Sequence, residues 1–398
     1  MQALISELRY GRSVLDIKYQ FLIDIEIFLN GKNLMNIAFV QPILTKYREP
    51  VLEELAAHSK LAVFFSKETL DKGFGDINNG LDYSAHVIST KNLFDKVFWQ
   101  VGLVKRVIQI KPDIIHCFGN FRYLSNIWLL IVARIYGIKF CWHGHGFLNN
   151  KNKGIFARKL YKLLVQFSNF YICYTEASKD SMLAIGCASK KLAVVNNTLV
   201  NSTPINPAQK NLADRNVLFV GRLREGNCLH HLIDCMQSII DERGMVFKLE
   251  VIGTGEEAIQ LQQKYAEYNW ITWHGAVYDQ HAIAEIAKKC LMGCYPGDCG
   301  LSVVHYMSLS LIPIVHDQIA QHMGPEPSYI KHNENGLLFA KDGLPESLKI
   351  QLERLVIADA NELEHLTENS YQTYLNLITP SMAQQFMDIY ERALAQNK

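Results

Sequence analysis

Short apolar segments rich in Val, Ile and Phe alternate with helical periodicity from Met35 onwards. In the first half the predicted strands are NIAFVQ, LAVFFS, DIIHCF, KFCWHG, FYICYT and LAVVNN. Helices are predicted between them, at 50–58, 96–110, 123–136, 155–168 and 178–185. A repeated strand–helix order is typical of a parallel sheet with helices on both faces.

The alternation is interrupted once, by the Pro- and Asn-containing segment LVNSTPINPAQKNLA at residues 199–213. It resumes with the strands NVLFVG, FKLEVIG, ITWHG, CLMGCYPG and IPIVHD, and with helices at 229–240, 256–268, 281–289, 301–310, 345–357, 361–376 and 381–395. We therefore predict two doubly wound α/β domains with a cleft between them. Their predicted ranges are 35–200 and 214–380, joined by a linker at 201–213, with a final helix at 381–398 that crosses back to the first domain.

Two segments bear on membrane contact. Residues 1–34 show amphipathic helical periodicity, and we interpret them as a dispensable extension from an upstream start codon; the alternative is a membrane-surface helix, although a rich basic face is missing. The run IWLLIVARIYGI is shorter than the roughly 20 residues of a membrane span and contains Arg134. It predicts a buried helix of a globular domain, and the N-terminus does not resemble a signal peptide.

Composition excludes several classes of protein. The net charge of +1 over 398 residues gives no global field for nucleic acid. The nine cysteines form no C-x-x-C pair, which argues against a zinc ribbon or a disulfide framework and favours reduced thiols in a cytoplasmic protein. Cys290, Cys294 and Cys299 are close in sequence, but a predicted helix end, strand and loop separate them, so we predict no metal site there.

Ligands of open parallel sheets bind beyond the carboxyl ends of the strands, so residues that follow strands are candidates. Gly221 and Arg222 follow NVLFV; the guanidinium suits a phosphate or carboxylate ligand, or else pairs with an acid such as Glu225. Gly253 and Gly255 follow KLEVI and fit either a closely approaching ligand or an ordinary turn.

The segment YPGDCGLSVVH joins a predicted strand to a predicted helix. The N–H groups near Gly300, Leu301 and Ser302 would open that helix and favour an anion by roughly 1 kcal/mol. Asp298 suits a sugar hydroxyl or a helix cap. His305, one turn into the helix, is either a packed core histidine or a ligand contact.

Three further positions carry candidate chemistry. Glu326 follows a Gly-Pro pair that fixes its position. In the first half, KFCW ends at the HGHG segment that contains His143 and His145, which suggests a metal pair, a substrate contact or a structural role; a third metal ligand is not evident nearby.

Basic residues surround the amphipathic run GIFARKLYKLLVQF. They form either a solvated helix face or a patch that contacts anionic lipid or a lipid-linked diphosphate acceptor. The basic residues are Lys151, Lys153, Arg158, Lys159 and Lys162.

The order of these segments is more specific than any one of them. VLFVGRLREGNCLHHLIDC, LEVIGTGEE, ITWHGAV, GLSVVHYMSLSLIPIV and PSYIKHNENGLLF resemble the C-terminal domain of the retaining family 4 glycosyltransferases. MNIAFVQP, KPDIIHCFG, WHGHG and YTEASKDSMLAIGCASKKLAVVNNT resemble their first domain. The resemblance covers residues 35–395 and implies the GT-B architecture of two Rossmann-like domains.

The resemblance implies transfer of a sugar from a nucleotide-diphosphate donor, on the second domain, to an acceptor hydroxyl on the first, with retention. It implies that Arg222 meets the donor pyrophosphate, that the turn 300–302 faces the phosphate and sugar, and that His145 lies near the reacting sugar. No D-x-D pair follows a strand, so we expect metal-independent chemistry. Similar members act in bacterial surface-polysaccharide assembly, which implies a lipopolysaccharide O-antigen or capsule role, a lipid-linked acceptor and peripheral contact with the inner membrane.

Several positions depart from the family pattern. Asn227 stands where a lysine is usual, and Gly297 and His305 replace two glutamates eight residues apart. We therefore expect His305 to contact ribose or phosphate and Glu326 to supply an acid. The departures leave two alternatives, an inactive glycosyltransferase-like binding subunit and a nucleotide-sugar epimerase. A nicotinamide dehydrogenase is disfavoured, because no G-x-G-x-x-G follows the first strand.

Overall fold

The computed structural model describes residues 34–67, 83–148, 154–245 and 247–396. Within them the chain forms two parallel sheets flanked by helices and one small hairpin. Residues 1–33 of the predicted N-terminal extension, and Lys151 and Lys153, lie outside the described residues. Among the described helices, none combines the length and apolarity that crossing a bilayer requires.

The first half of the chain forms a seven-stranded parallel sheet and a two-stranded hairpin. Its strands are β1 (Asn36–Val40), β2 (Lys60–Ser66), β3 (Ser84–Ile88), β4 (Thr90–Phe94), β5 (Val97–Gln100), β6 (Ile114–Phe118), β7 (Lys139–Gly144), β8 (Phe170–Cys173) and β9 (Leu192–Val194). The sheet order is β3-β2-β1-β6-β7-β8-β9. Successive strands are therefore added on one side of β1 up to β3 and on its other side from β6 onwards. In β1, Ala38 lies opposite both Ala62 and Ile115.

Helices cover both faces of this sheet. They are α1 (Glu49–His58), α2 (Leu103–Gln109), α3 (Leu124–Ile135), α4 (Ile155–Phe167) and α5 (Glu176–Ala184). Helices α2 to α5 bury apolar side chains in one core cluster, whereas α1 contributes to a second cluster on the opposite face.

The second half repeats the architecture. Its strands are β10 (Val217–Val220), β11 (Leu249–Ile252), β12 (Ile271–Gly275), β13 (Met292–Cys294), β14 (Ile312–His316) and β15 (Leu337–Phe339). Their order is β12-β11-β10-β13-β14-β15, and all neighbouring pairs are parallel. The helices are α6 (Leu229–Arg243), α7 (Ala258–Lys264), α8 (Gln280–Ala287), α9 (Ser302–Ser308), α10 (Glu346–Ile357), α11 (Ala360–Ile378) and α12 (Met382–Ala395).

Helix α12 leaves the second half and packs on the first sheet. The Ser381 side chain caps its start by accepting a hydrogen bond from the backbone N–H of Gln384 at 3.1 Å. Its apolar face recurs with helical spacing, and Phe386 and Tyr390 are buried in the cluster that also contains Leu52 of α1. Burying Phe386 alone contributes about 1.5–3 kcal/mol, so α12 is an integral part of the first domain's core.

Two predictions about the first half are wrong. Residues 97–100, predicted as the start of a helix, form strand β5, because Asp95 and Lys96 adopt positive φ in a two-residue turn that pairs β5 with β4. Helix α3, predicted as buried, is covered on one face only: Trp128 is 47% exposed and Ile135 is 75% exposed.

Candidate active site

The two sheets face each other across a cleft that contains a cavity of about 330 Å³. From the first half it is lined by the end of β6 and by segments that follow β1, β7, β8 and β9, and from the second half by segments that follow β13 and β14. The lining residues are Gln41, Ile43, Thr45, Tyr47, Phe118, His145, Tyr174, Asn197, Gly300, Leu301, Met323, Gly324 and Glu326.

The topology explains why the cavity lies there. In each sheet the strand order reverses beside the first strand, between β1 and β6 and between β10 and β13. At such a switch point the connections leave in opposite directions and open a crevice at the carboxyl ends of the strands. The cavity lies where the two crevices meet, so both halves contribute to one site.

A buried hydrogen-bond network crosses the cleft. The Arg48 guanidinium donates to Asn197 Oδ1, and Asn197 Nδ2 in turn donates to Glu326 Oε1. Arg48 Nη1 also donates to Met382 Sδ of α12 at 2.8 Å. Arg48, Asn197 and Glu326 are all at most 5% exposed, so the network links both halves and the final helix in a low-dielectric site.

Glu326 presents one free carboxylate oxygen to the cavity. Burial raises the pKa of its carboxyl, while the hydrogen bond from Asn197 and the charge of Arg48 oppose that shift. Among the described residues, Glu326 Oε2 has no hydrogen-bond partner. A Cβ at Gly324 would lie 2.0 Å from this oxygen, so a larger residue there would displace the carboxylate. The arrangement leaves a buried acceptor ready for a ligand hydroxyl.

His145 lines the same cavity from the first half. Burial, followed by the charge of Arg48, lowers the pKa of this imidazole to about 4, so the ring is neutral at pH 7. It packs edge-on to Tyr174, with ring centroids 4.6 Å apart, and its Nδ1 has no partner within the described part of the chain. A neutral ring with so low a pKa is a weak base, so it suits hydrogen bonding to a ligand better than proton abstraction at neutral pH.

Arg222 lies on the loop after β10, outside the set of described residues that line the cavity. Its side chain is 70% exposed and forms a 3.6 Å ion pair with Glu256, not with Glu225. Asn227, the residue at the position of the family's lysine, is buried; it donates to the backbone oxygen of Arg222 and accepts from Tyr295 Oη at 3.0 Å. Asn227 therefore fixes the loop that carries Arg222.

The glycines after the strands of the second half have a packing role. Gly253 has a φ of 148°, and a Cβ there would lie 1.8 Å from the backbone oxygen of Gly221. A Cβ at Gly255 would lie 2.0 Å from the oxygen of Leu223, and Gly297 meets the loop after β10 just as closely. These residues let three loops stack backbone to backbone.

Asp298 is engaged within the protein. Its Oδ1 accepts from Lys341 Nζ at 2.6 Å and lies 3.0 Å from His316 Nε2. Burial acts to raise the pKa of the Asp298 carboxyl, but these two partners outweigh it and hold the pKa below its ordinary value. Helix α9 has no side-chain cap, so of the two alternatives for Asp298 the helix cap is wrong.

Asp298 also belongs to a group, with His316 and His322, whose possible metal-ligand atoms lie within 4.8 Å of one another. His322 Nδ1 accepts from the backbone N–H of Cys299 at 3.1 Å, and its Nε2 lies 2.9 Å from the His316 carbonyl oxygen. The histidine rings stack with centroids 3.6 Å apart. The two histidines and Asp298 Oδ1 hydrogen-bond within the protein, and the group stabilises the turn that precedes Gly300.

The other predicted residues lie at the edge of the site or away from it. Ser302 Oγ donates to the Val220 oxygen at 3.4 Å. His305 is 8% exposed inside α9, and burial lowers the pKa of its imidazole to about 4, as for a packed core histidine. Arg158 and Lys159 lie on the exposed side of α4, outside the described lining of the cleft.

Sequence reasoning missed Arg48, Asn197, Tyr47 and Tyr174. Asn197 follows β9 and Tyr174 follows β8, so the strand-end rule applied to every strand would have included them. Arg48 directly precedes α1, where no local pattern separates it from an ordinary surface arginine.

The buried histidines predict a loss of stability in mild acid. Burial lowers the pKa to about 3 for His116 and to about 4 for His145, His305 and His322. In the unfolded chain these rings take up protons near pH 6.5, so the unfolded state binds more protons below that pH. The free energy of unfolding should therefore fall as the pH drops from 7 towards 4, by up to about 1.4 kcal/mol per pH unit for each histidine.

Urea unfolding at several pH values measures this slope. His305→Gln should reduce it, whereas the matched change His281→Gln, at an exposed ring, should leave it unaltered. Equal slopes for the His305 variant and the wild type would contradict the assignment.

Domain-family matches divide the chain at the same place as the fold. Residues 55–199 match the model described as Glycosyltransferase Family 4, and residues 203–373 match the model described as Glycosyl transferases group 1. No curated protein gives a sequence match. The two domains therefore occur in the order that the sequence resemblance implies.

Solved structures share the fold at low identity. HepE of Anabaena, bound to UDP and glucose, is 15% identical with a TM-score of 0.63, over 90% of this chain and 100% of that one. The lipopolysaccharide outer core galactosyltransferase WaaB, in its apo form, is 16% identical with a TM-score of 0.64, over 90% and 99%. The pneumococcal O-GlcNAc transferase GtfA, bound to UDP and GlcNAc, is 10% identical with a TM-score of 0.63, over 92% and 100%.

Two Rossmann-like halves, a cavity at their facing switch points and the ordered pair of domain matches agree with one another. The chain is a GT-B glycosyltransferase of the family 4 and group 1 type.

Proposed function

We propose that this protein transfers a sugar from a nucleotide-diphosphate sugar to an acceptor hydroxyl with retention of anomeric configuration. The observation that carries the proposal is the cavity to which both switch points contribute, with His145 supplied by the first half and Glu326 by the second. HepE and GtfA, which share the fold, were each solved with UDP and a sugar, and this supports a nucleotide-diphosphate donor.

In the proposed reaction the bond between the sugar's anomeric carbon and the diphosphate breaks, and the acceptor oxygen bonds to the same face of that carbon. The departing diphosphate takes the acceptor proton, so no strong protein base is needed. Arg222 neutralises the diphosphate, together with the N–H groups of the turn at Gly300 and Leu301, and no metal ion is required. Glu326 Oε2 accepts a hydroxyl hydrogen of the donor sugar.

Neutral His145 positions the sugar from the first half. The Arg48–Asn197–Glu326 network supports this geometry, because it holds the carboxylate at a fixed place relative to the first half. Preorganisation of this kind lowers the barrier, since the polar groups need not reorient as charge develops.

For the acceptor we propose a lipid-linked saccharide, with a role in lipopolysaccharide O-antigen or capsule assembly at the cytoplasmic face of the inner membrane. The fold similarity to WaaB, a lipopolysaccharide outer core galactosyltransferase, extends over 90% of this chain and supports this class of acceptor.

Thermal unfolding in the presence of nucleoside diphosphates tests donor binding. We expect one diphosphate, alone and as its sugar conjugate, to raise the melting temperature, with about 2.7 kcal/mol of stabilisation at 100 times Kd. The free nucleoside is the matched control and should give a much smaller shift, because it lacks the pyrophosphate. A flat response to all diphosphates would refute the donor site.

Product analysis with the identified donor then tests the reaction. Sugar transfer to an acceptor supports the proposal. Tight donor binding without turnover would point to a binding subunit, and conversion of the donor sugar without acceptor would point to an epimerase.

A further inference from the structure

Helices α3 and α4 expose two apolar stripes with the same spacing. On α3 the exposed residues recur at i, i+4, i+7 and i+11, and on α4 they do the same. The α3 stripe is Leu124, Trp128, Ile131 and Ile135, and the α4 stripe is Phe156, Leu160, Leu163 and Phe167, each 37% or more exposed. Single exposed apolar residues are normal on any protein surface, but apolar residues aligned in two stripes form a contiguous patch, which is unusual.

The two stripes form one surface, which we name the two-stripe surface. Both helices bury their opposite sides, for example Leu129 of α3 and Leu164 of α4, in the same core cluster on one face of the first sheet. Their ends meet, because the Arg134 guanidinium lies 5.9 Å from the Phe167 ring centroid. At 1.5 Å per residue each stripe is roughly 16 Å long.

The charge of the chain segment that carries this surface has one sign. Residues 114–175 contain eight Lys or Arg and no Asp or Glu, although the whole chain has a net charge of only +1. Arg134, Arg158, Lys159 and Lys162 are exposed on α3 and α4. Among the described residues none of these four forms an ion pair. Cations beside exposed aromatic and aliphatic side chains match a lipid bilayer, which has anionic headgroups at its surface and an apolar interior.

We infer that the two-stripe surface docks on an anionic lipid bilayer, with Trp128 and Phe156 inserted at the headgroup level and the basic side chains among the headgroups. A second copy of the chain fits less well. A two-fold contact through this surface would place the cations of one copy opposite those of the other. The inference rests on α3 and α4 alone and is independent of the donor site.

The surface also has a place relative to the cleft. Strand β7 ends at Gly144 and is followed by His145, which lines the cavity, and α4 begins at Ile155, ten residues after His145. If α3 and α4 dock on a bilayer, only this short segment of chain separates the docked helix α4 from the cavity residue His145.

Vesicle sedimentation of the full chain tests the inference. We expect binding to vesicles of phosphatidylcholine mixed with phosphatidylglycerol at low salt, much weaker binding at high salt, and little binding to phosphatidylcholine alone. The double variant Trp128→Ser, Phe156→Ser should lower the partition coefficient at least about tenfold, since each change removes buried apolar area. The matched control is Ile259→Ser, Tyr278→Ser, two exposed apolar residues of the second half.

The melting temperature and the shift induced by the nucleoside diphosphate should be the same in both double variants and the wild type, which separates lipid docking from folding and donor binding. Equal sedimentation of the Trp128, Phe156 variant and the control would overturn the inference. So would a wild-type dimer in solution that this variant alone dissociates, because a second copy would then cover the surface.

Discussion

Replacing Arg222 with alanine is expected to lower turnover by about 10²-fold or more, comparable to the loss of one donor from an oxyanion site. The side chain is 70% exposed, so its removal leaves the core intact. In the proposed reaction the guanidinium exchanges its 3.6 Å partner Glu256 for the donor pyrophosphate, whose charge grows as the sugar bond breaks. Steady-state kinetics with the identified donor measure the change in kcat and KM.

Glu256→Gln is the control for this variant, because it removes the same ion pair and keeps the guanidinium. It should leave turnover close to that of the wild type. A near-normal rate for Arg222→Ala, measured beside this control, would eliminate the phosphate role of the arginine.

Glu326→Gln is expected to lower turnover between about tenfold and 10²-fold, the effect of losing a charge-assisted hydrogen bond of about 1.5–3 kcal/mol. The glutamine oxygen can still accept from Asn197, as Glu326 Oε1 does, so the interdomain network persists. At the place of Oε2 the variant has an NH₂ group, which cannot accept a hydroxyl hydrogen. Kinetics should show the loss while thermal unfolding shows a folded protein.

Glu334→Gln provides the comparison, since Glu334 is an exposed glutamate of the same segment, 3.5 Å from Lys331. This variant should behave as the wild type. If Glu326→Gln kept both kcat and KM, Glu326 would be a structural link between the halves without contact to the donor.

Most strands could be predicted from the sequence because central parallel strands are buried on both faces and appear as continuous apolar runs. The hairpin β4–β5 was missed for the same reason: Val97, Phe98 and Trp99 form an apolar run that merges with α2, and run length alone does not separate strand from helix. Only the two-residue turn at Asp95 and Lys96 distinguishes them.

The site was partly predictable. His145, Gly300, Leu301 and Glu326 were found because they follow strands, and the structure brings all four to one cavity. The network that fixes Glu326 was not found, because Arg48 and Asn197 are 149 positions apart in the first half and because the contact of Asn197 with Glu326 depends on how the two domains meet. Local periodicity carries no information about such a contact.

The exposed face of α3 shows a related limit. A helix that is apolar on every side is normally buried, so the run was predicted to be enclosed. The sequence records how apolar each face is, but the chain's topology decides which face a neighbouring layer covers. In α3 the sheet covers Leu129 and Leu130, and no described element covers Trp128 or Ile135 to the same extent.

The return of α12 to the first sheet has a consequence for synthesis. Phe386 and Tyr390 complete a core whose other members, such as Leu52, leave the ribosome more than 300 residues earlier. Until α12 emerges, that face of the nascent first half is open to water and to other chains. Expressing residues 34–200 alone should therefore yield an aggregation-prone fragment, which supplying the terminal helix in trans would rescue.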